Sequence, residues 1–535
     1  MSLTQALLLF LFSSICGIGS ASEEFQTHRP IIAATLVGIA LGDIKTGVMI
    51  GAQMELIALG WMTIGVATPP DATLASIVAA ILCILGKQSI GVAIGIALPL
   101  TVVGQMMFVL QKGIVDVTVM HWAEKGVDKG ELWKITAAHF FTAIPSALRM
   151  AIPTMLVAFF VDANIINNMM SFVPEAIPKG LQVASGFLVV VGYAMILKIL
   201  NVKEMAAFFL MGFLVMTFSS MTLVGLTLLG ISLALVYLQI SNMLDKGNRA
   251  RVKRESSKEK HEDEIKIKIT KRDLRKVFWR SQFYQLSWNY ERLQNLCYCY
   301  CMMPILRKLY RTKEELQKAV KVHLEYFNCQ PFLSSIILGT NIAVEENMQE
   351  TVDEAGVVQI KIALMGPLAG IGDPIIWGII RPVIAAVCAG IALNGNVAGP
   401  ILFFVIINII RIIIRYNGLM IAHREGTNLI NKLKGAVPRF RSALIVLTYT
   451  VIGGLVAKWT TIKVPFVLYT LTHGDGTVTN YTVQEQLDNI MPNLLPLVLT
   501  ILVYWLLHKK VSPLICMISL MIFGIAAYAL GILGV

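Results

Sequence analysis

Charge is what this 535-residue chain has least of. Only 15% of it is charged, against roughly 25% in a soluble domain, while 56% is hydrophobic and the mean hydropathy is +0.70. That deficit excludes a soluble globular protein. Residues 205–244 carry no charge at all, enough for two spans of about 20 residues each, and residues 382–410 are equally bare. Catalytic signatures are missing as well: there is no Walker A pattern, no H-E-x-x-H, no G-x-S-x-G and no kinase set. The glycine-rich run at 366–372 lacks the Lys-Ser/Thr pair with which a P-loop holds phosphate and magnesium. An ATP-driven pump is disfavoured, which leaves an ion gradient or substrate trapping by a partner. The eight cysteines form neither a disulfide framework nor a metal pattern, since Cys297, Cys299 and Cys301 alternate with tyrosines. Neither a metal nor a cofactor is expected.

What charge there is clusters. Residues 245–276 hold 13 Lys/Arg and 7 Asp/Glu without apolar periodicity, which reads as a solvated linker on the cytoplasmic side. The net charge of +12 therefore reflects cytoplasmic loops of a membrane protein, not nucleic-acid binding. The linker parts two modules of similar size, assigned as 1–244, a linker at 245–268, and 269–535. The first module reads as apolar segments near 4–20, 30–52, 72–86, 90–111, 135–161, 180–200 and 205–242, several interrupted by glycine or proline. Met1–Ala21 has an apolar run but no basic n-region, so a retained membrane or re-entrant helix is expected rather than a signal peptide. In the second module, residues 270–355 are amphipathic, with helical patterning at 316–326, and are expected on the membrane surface or folded into the cavity. Spans follow at 357–393, 399–421, 443–457, 492–507 and 511–534. His508-Lys509-Lys510 points to the cytoplasm and the Lys/Arg-free stretch 472–489 to the outside, which puts the C-terminus outside. The expected fold is an all-α polytopic membrane protein of two fused helical modules with broken or re-entrant helices.

Acids at membrane depth are costly, by about 3 kcal/mol on insertion scales, and usually face a partner or a wet cavity. Glu55 and Asp71 bracket one apolar segment that ends Pro69-Pro70-Asp71; Asp373 closes Gly366-Pro367-Leu368-Ala369-Gly370-Ile371-Gly372-Asp373-Pro374 in the other half. Two Gly/Pro-broken, acid-bearing segments, one per half, mark a transporter's substrate site and fit the logic of inverted repeats. Asp71 and Asp373 also suit helix N-termini, and a cap facing a cavity keeps its second oxygen for a ligand. Asn328 and Gln330 end a helical run with amides that suit neutral polyols, and Trp288 offers either a face for a sugar ring or an interfacial anchor. Arg381, Arg411 and Arg415 lie near or inside apolar runs, Arg411 and Arg415 on one helix face, where they would pair with buried acids, contact lipid headgroups or attract an anionic group.

These residues resemble a known family. Glu24-Phe25-Gln26-Thr27-His28-Arg29-Pro30, Leu41–Gly47 and Glu55–Met62 with its continuation to Ala72 are similar to the IIC component of the mannose-family sugar phosphotransferase system. Arg280-Ser281-Gln282, Ser287-Trp288-Asn289-Tyr290-Glu291-Arg292, Asn328–Phe332 and Met365–Pro374 are similar to its IID component. The resemblance covers nearly everything outside the linker, and fusion of the two components is the chain's main departure. It implies a permease of the bacterial cytoplasmic membrane that binds a hexose (mannose, glucose or a relative) outside and carries it inward by an elevator-like movement. A phosphorylated IIB partner, fed by IIA, then transfers phosphate to the sugar. It also implies a trimer of IIC–IID units. The chain is thus read as a transport component without catalytic residues. Its substrate-binding candidates are Gln26, Glu55, Asp71, Trp288, Asn328, Gln330 and Asp373. A proton- or sodium-coupled carrier, with Glu55 or Asp71 as coupling acid, is the alternative.

Overall fold

The computed structural model describes residues 1–61, 69–161, 174–200, 203–249, 268–347, 354–426, 429–472 and 478–534. Helix α1 (Leu3–Ser22) opens on a capping box between Ser2 and Gln5 and stops where Glu23 turns left-handed. Helix α2 (Pro30–Leu41) starts on proline and ends at Gly42, whose φ of +90° only glycine adopts freely. Helix α3 (Ile44–Ile57) then folds back along α2. This hairpin explains the glycine recurrence, because a Cβ on Gly47 would lie 2.6 Å from the Ala34 carbonyl oxygen and one on Gly51 2.9 Å from that of Pro30. Small residues let the two backbones touch, the usual solution where lipid supplies no hydrophobic drive.

Helices α4 (Ala72–Ile84) and α5 (Ile90–Ala97) lead to α6 (Leu100–Leu110), which passes through a π-helical turn into α7 (Asp116–Asp128). Then come α8 (Trp133–Phe141), α9 (Ala143–Phe160), α10 (Ala176–Ser185), α11 (Val189–Leu200), α12 (Ala206–Phe218) and α13 (Leu223–Arg249). The second module runs α14 (Lys271–Ser281), α15 (Asn295–Leu309), α16 (Lys313–His323), α17 (Ser334–Asn347), α18 (Glu354–Gly372), a π-helical stretch Asp373–Ile380, α19 (Arg381–Ala392), α20 (Ala398–Glu425) and α21 (Leu429–Trp459). After a hairpin of β1 (Val467–Thr472) and β2 (Val478–Thr482), α22 (Val483–Ile490), α23 (Leu494–His508) and α24 (Pro513–Ala529) complete it. Among the described residues eight helices are long and apolar enough to cross a membrane, or nine if α22 and α23, bent by 81°, form one broken span. The architecture is all-α and polytopic.

One local feature corrects the sequence-based expectation and two add to it. The segment Gly366–Pro374 is not broken: α18, the π-helical stretch and α19 form one path, and the missing N–H of Pro374 falls where the helix widens. Within the segment expected on the membrane surface or folded into the cavity, α15 is buried nearly throughout, its alternating cysteines and tyrosines wrapped by α14, α16, α17 and by α8 of the first module. The stretch expected as an outer loop carries the β-hairpin, with Tyr469 stacked on Tyr481 at 4.6 Å.

The modules interlock rather than sit side by side. Helices α12 and α13 pack on α21, α10 on α24, and α11 on α23. At the first of these seams a Cβ on Gly212 would stand 1.9 Å from the Thr450 carbonyl oxygen, and one on Gly453 2.0 Å from that of Phe209. Each module therefore keeps a glycine for the other's backbone. Overpacking costs about 1–3 kcal/mol in a core that can adjust, and here the obstacle is backbone. We predict that Gly212→Leu destabilises by at least that range, read as a lower melting temperature of the purified protein in detergent; an unchanged melting temperature would show that this seam does not bind the modules.

Candidate functional site

Between the modules lies a cleft with about 880 Å³ of atom-free space including its open mouth. The end of α1, the turn at residues 23–29, Trp61, the Pro69–Asp71 entry to α4, and Phe108 of α6 form its first-module wall; Gln285, Trp288 and Arg381 come from the second.

Asp71 lies at the start of α4. Its Oδ1 accepts from the N–H groups of Thr73 (3.0 Å) and Leu74 (3.2 Å), and its Oδ2 accepts from Arg149 Nη1 at 2.6 Å. Arg149 also donates to the Gly104 carbonyl at 3.4 Å and to Ser20 Oγ. The second oxygen that a cap was expected to leave over is thus already paired, although a carboxylate keeps spare lone pairs for a ligand. Glu55 does not line the cleft. It is fully buried, accepting from Arg29 Nε at 2.8 Å and from the Ile31 N–H at 3.2 Å, an orphan donor in the first turn of α2. Arg29, fixed in this way, does line the cleft. Gln53, two residues before Glu55, borders a separate cavity with Ser89, Gln182 and Thr461.

The turn that carries Arg29 is tight, with both Glu23 and Gln26 at positive φ. Gln26 is buried, donates to the Glu23 carbonyl and stays behind the wall. Glu24 in the same turn is completely buried: it accepts from Arg415 Nη2 at 2.6 Å and lies 3.7 Å from Arg411 Nη1, both on α20 of the other module. Arg415 Nη2 also donates to the Pro331 carbonyl at 2.8 Å. One guanidinium therefore ties the first-module turn to the Asn328–Phe332 segment.

That segment does not reach the cleft. Asn328 is half-buried; Gln330 Oε1 accepts from the Leu333 N–H at 3.0 Å, and its side chain packs on Gly372, where a Cβ would come within 2.6 Å. Asp373 opens the π-helical stretch beside it and likewise lies off the cleft lining. Their connection to the cleft is indirect. Phe332 packs edge-on against Trp377 (5.1 Å), Arg381 lies over the Trp377 ring (4.4 Å), and Arg381 faces the cleft. Arg381 is 2% exposed, and among the described residues it makes no ion pair.

Trp288 lines the cleft, held from both modules. Asn289 Oδ1 accepts from the N–H groups of Glu291 and Arg292, which sets the turn; Lys112 Nζ donates to the Leu286 carbonyl at 3.0 Å, and Thr142 Oγ1 donates to the same oxygen at 3.1 Å. His139 Nδ1 meets Ser287 Oγ at 2.7 Å. Lys112 is itself paired with Asp116 at 2.8 Å, both buried. Of the seven candidates, then, Asp71 and Trp288 line the cleft, Glu55 holds a lining residue, Gln26 shapes the turn, and Asn328, Gln330 and Asp373 stand behind Trp377 and Arg381. Sequence reasoning missed His28, Arg29, Trp61 and Arg381. Trp61 Nε1 is buried and has no hydrogen-bond partner among the described residues, and both Trp61 and His28 line the cleft. The signal for these four was placement near candidates already singled out: His28 and Arg29 follow Gln26, Trp61 follows Glu55 and Arg381 follows Asp373, each within eight residues.

Two family models divide the chain: residues 3–236 match the PTS system sorbose-specific IIC component, and residues 268–533 the mannose/fructose/sorbose family IID component. The mannose-specific EIID component of Escherichia coli (strain K12) is 43% identical over 271 residues, 50% of this chain and 96% of that protein. The chain belongs to the mannose-family phosphotransferase permeases. The sorbose-specific EIIC component of Klebsiella pneumoniae is 44% identical to it over 240 residues, 45% of this chain and 90% of that protein. Among solved structures, a complex of the mannose transporter ManYZ with microcin E492 contains a chain 43% identical, covering 50% of this chain and 99% of that one at a TM-score of 0.30. The permease thus joins in one polypeptide what these relatives carry as separate components, and it is a transport component of a sugar phosphotransferase system.

Breaking a buried pair while leaving one charge behind costs about 3–5 kcal/mol. Glu24→Gln should therefore lower the permease's melting temperature in detergent strongly, and Glu24→Gln with Arg415→Met should recover much of the loss. A double variant no more stable than the single would mean that the pair does not carry the junction.

Proposed function

We propose that this cleft is the hexose site of the permease, and that it takes up mannose, glucose or a related sugar, the class named for its relatives. The observation that carries the reading is the composition of the walls. Arg29, Arg381, His28 and the Trp61 N–H present donors, Asp71 presents an acceptor, and Trp288 with Phe108 (ring centroids 6.3 Å apart) forms an aromatic side. A pyranose needs this combination: hydroxyls that both give and accept hydrogen bonds around an apolar C–H face. Asp71 and Trp288 touch the sugar. Glu55 acts through Arg29, and Gln26 through the turn. Asn328, Gln330 and Asp373 act by setting the π-helical stretch from which Arg381 enters the cleft.

Each module supplies part of the wall and the two sides are tied by the buried Glu24–Arg415 junction, so the walls travel together when an elevator-like movement carries the sugar inward. The sugar enters from outside and is released inside as its phosphate. A separate cytoplasmic IIB protein, supplied by IIA, makes the phosphate bond. The permease positions the sugar, and none of its own side chains carries phosphate. The basic linker and His508-Lys509-Lys510 face the cytoplasm, the β-hairpin and the C-terminus face outward, and the working assembly is a trimer.

A hydrogen bond to a charged group is worth about 1.5–3 kcal/mol, or roughly 10- to 150-fold in affinity. Arg381→Lys should weaken hexose binding to the purified permease within that range in calorimetry while melting temperature holds, and Trp288→Ala should weaken it too, at a lowered melting temperature because the indole is buried. Asp373→Asn should weaken it less. Vesicles bearing the permease should accumulate labelled hexose as its phosphate only when phosphorylated IIB is enclosed. Wild-type affinity in both Arg381→Lys and Trp288→Ala would remove the cleft as the site; IIB-independent accumulation of unmodified sugar, abolished by an uncoupler, would instead favour a coupled carrier.

A further inference from the structure

Away from the cleft, α14 and α15 enclose an open groove of about 470 Å³ lined by Lys276, Trp279, Arg280, Pro304 and Arg307. Its construction starts from a proline. Pro304 lies inside α15 and has no N–H to give to the Tyr300 carbonyl one turn earlier, so that oxygen is orphaned in the helix. Arg280 Nη1 donates to it at 2.8 Å, and the guanidinium lies over the Tyr300 ring at 4.7 Å. Arg280 is thereby pinned at the groove with further N–H groups to spare. Lys276, one turn before Arg280 on α14, and Arg307, one turn after Pro304 on α15, supply two more cations. The neighbouring acid, Asp273, is engaged by Lys308 Nζ at 2.7 Å, and Lys276 reaches it only at 3.5 Å with its side chain 57% exposed. Among the described residues Arg307 makes no ion pair.

An apolar component adjoins these cations. Trp279 is 65% exposed and Phe283, one turn on, 43%. Phe278 packs edge-on against Tyr416 of α20, a membrane-length apolar helix whose Ile412 and Ile413 are exposed. Helix α20 has 28 residues, about 42 Å, against a hydrocarbon core of about 30 Å, and Tyr416 lies nine residues from its end. That is about 14 Å from the tip, so α14 meets the membrane near its boundary. Since α14 follows the basic linker directly, the boundary is the cytoplasmic one on the orientation given above.

We propose that this groove binds the headgroup phosphate of an anionic phospholipid of the inner leaflet, with the acyl chains running along Trp279 and Phe283 towards α20. Three converging cations around a tryptophan at the interface match a phosphodiester bearing apolar tails, and the arginines supply donors in the geometry phosphate prefers. No residue of the hexose cleft takes part, so lipid and sugar binding can be tested separately.

Native mass spectrometry of the full-length permease, exchanged into detergent with equal amounts of phosphatidylglycerol and phosphatidylcholine, reads the site. Wild type should retain one phosphatidylglycerol in preference to phosphatidylcholine. Each cation near an anionic lipid is worth about fivefold, so Lys276→Gln with Arg307→Gln should cut that preference roughly 30-fold. Arg307→Gln alone, a change on an exposed position, should cut it about fivefold and serves if the double variant is poorly folded. Trp279→Ala should shorten retention of both lipids without altering their ratio. Equal retention of the two lipids by wild type, an undiminished preference in Arg307→Gln, or displacement of the lipid by inorganic phosphate, which would make this a free-anion site, overturns the proposal.

Discussion

Glu24 has no water to solvate it, and two arginines from the opposite module converge on it. Burying a carboxylate without compensation would cost several kcal/mol, and so would burying either guanidinium. The three groups are stable in the interior only together, which fixes the turn at residues 23–29 against α20. Because Arg415 also holds the Pro331 carbonyl, the same contact sets the segment that supports Trp377, and through it Arg381. His28 and Arg29 on one side of the cleft and Arg381 on the other are thus registered by a single buried junction.

The remaining buried charges repeat this pattern at smaller scale. Asp71 holds Arg149, Glu55 holds Arg29, and Asp116 holds Lys112, which in turn clamps the loop bearing Trp288. In a medium of low polarity such pairs act as positioning devices, since neither partner can move without exposing the other. Arg381 differs. It is buried over the face of the Trp377 indole, makes no ion pair among the described residues, and lines the cleft.

Fusing the two components is compatible with how deeply they interlock. Glycines at 212 and 453 bring backbones of the two modules together, and the loop carrying Trp288 takes its bonds from Lys112, Thr142 and His139 of the other module. Neither module encloses the cleft alone. A covalent link raises the effective concentration of each for the other without adding a contact.

Composition and apolar runs alone determined that the chain is a helical membrane protein of two modules, because hydrocarbon rejects charge and unpaired backbone wherever they occur in a sequence. The quoted motifs also determined the family. They marked the acids near the site as well, since Asp71 and Glu55 stand out in any apolar stretch. What they left open was which groups face the ligand. Glu55 stands out equally in sequence, yet its lone pairs are spent on Arg29 and the start of α2. Arg381 looked like one of three arginines near apolar runs, and it is the one that lines the cleft. Helix Asn295–Leu309, with its alternating cysteines and tyrosines, was not legible as core, because what buries it includes residues as far as 175 positions away. Only the tertiary structure decides such matters: an ion pair is a property of two chain segments brought within about 3 Å, and a list of residues in order carries no distances between them.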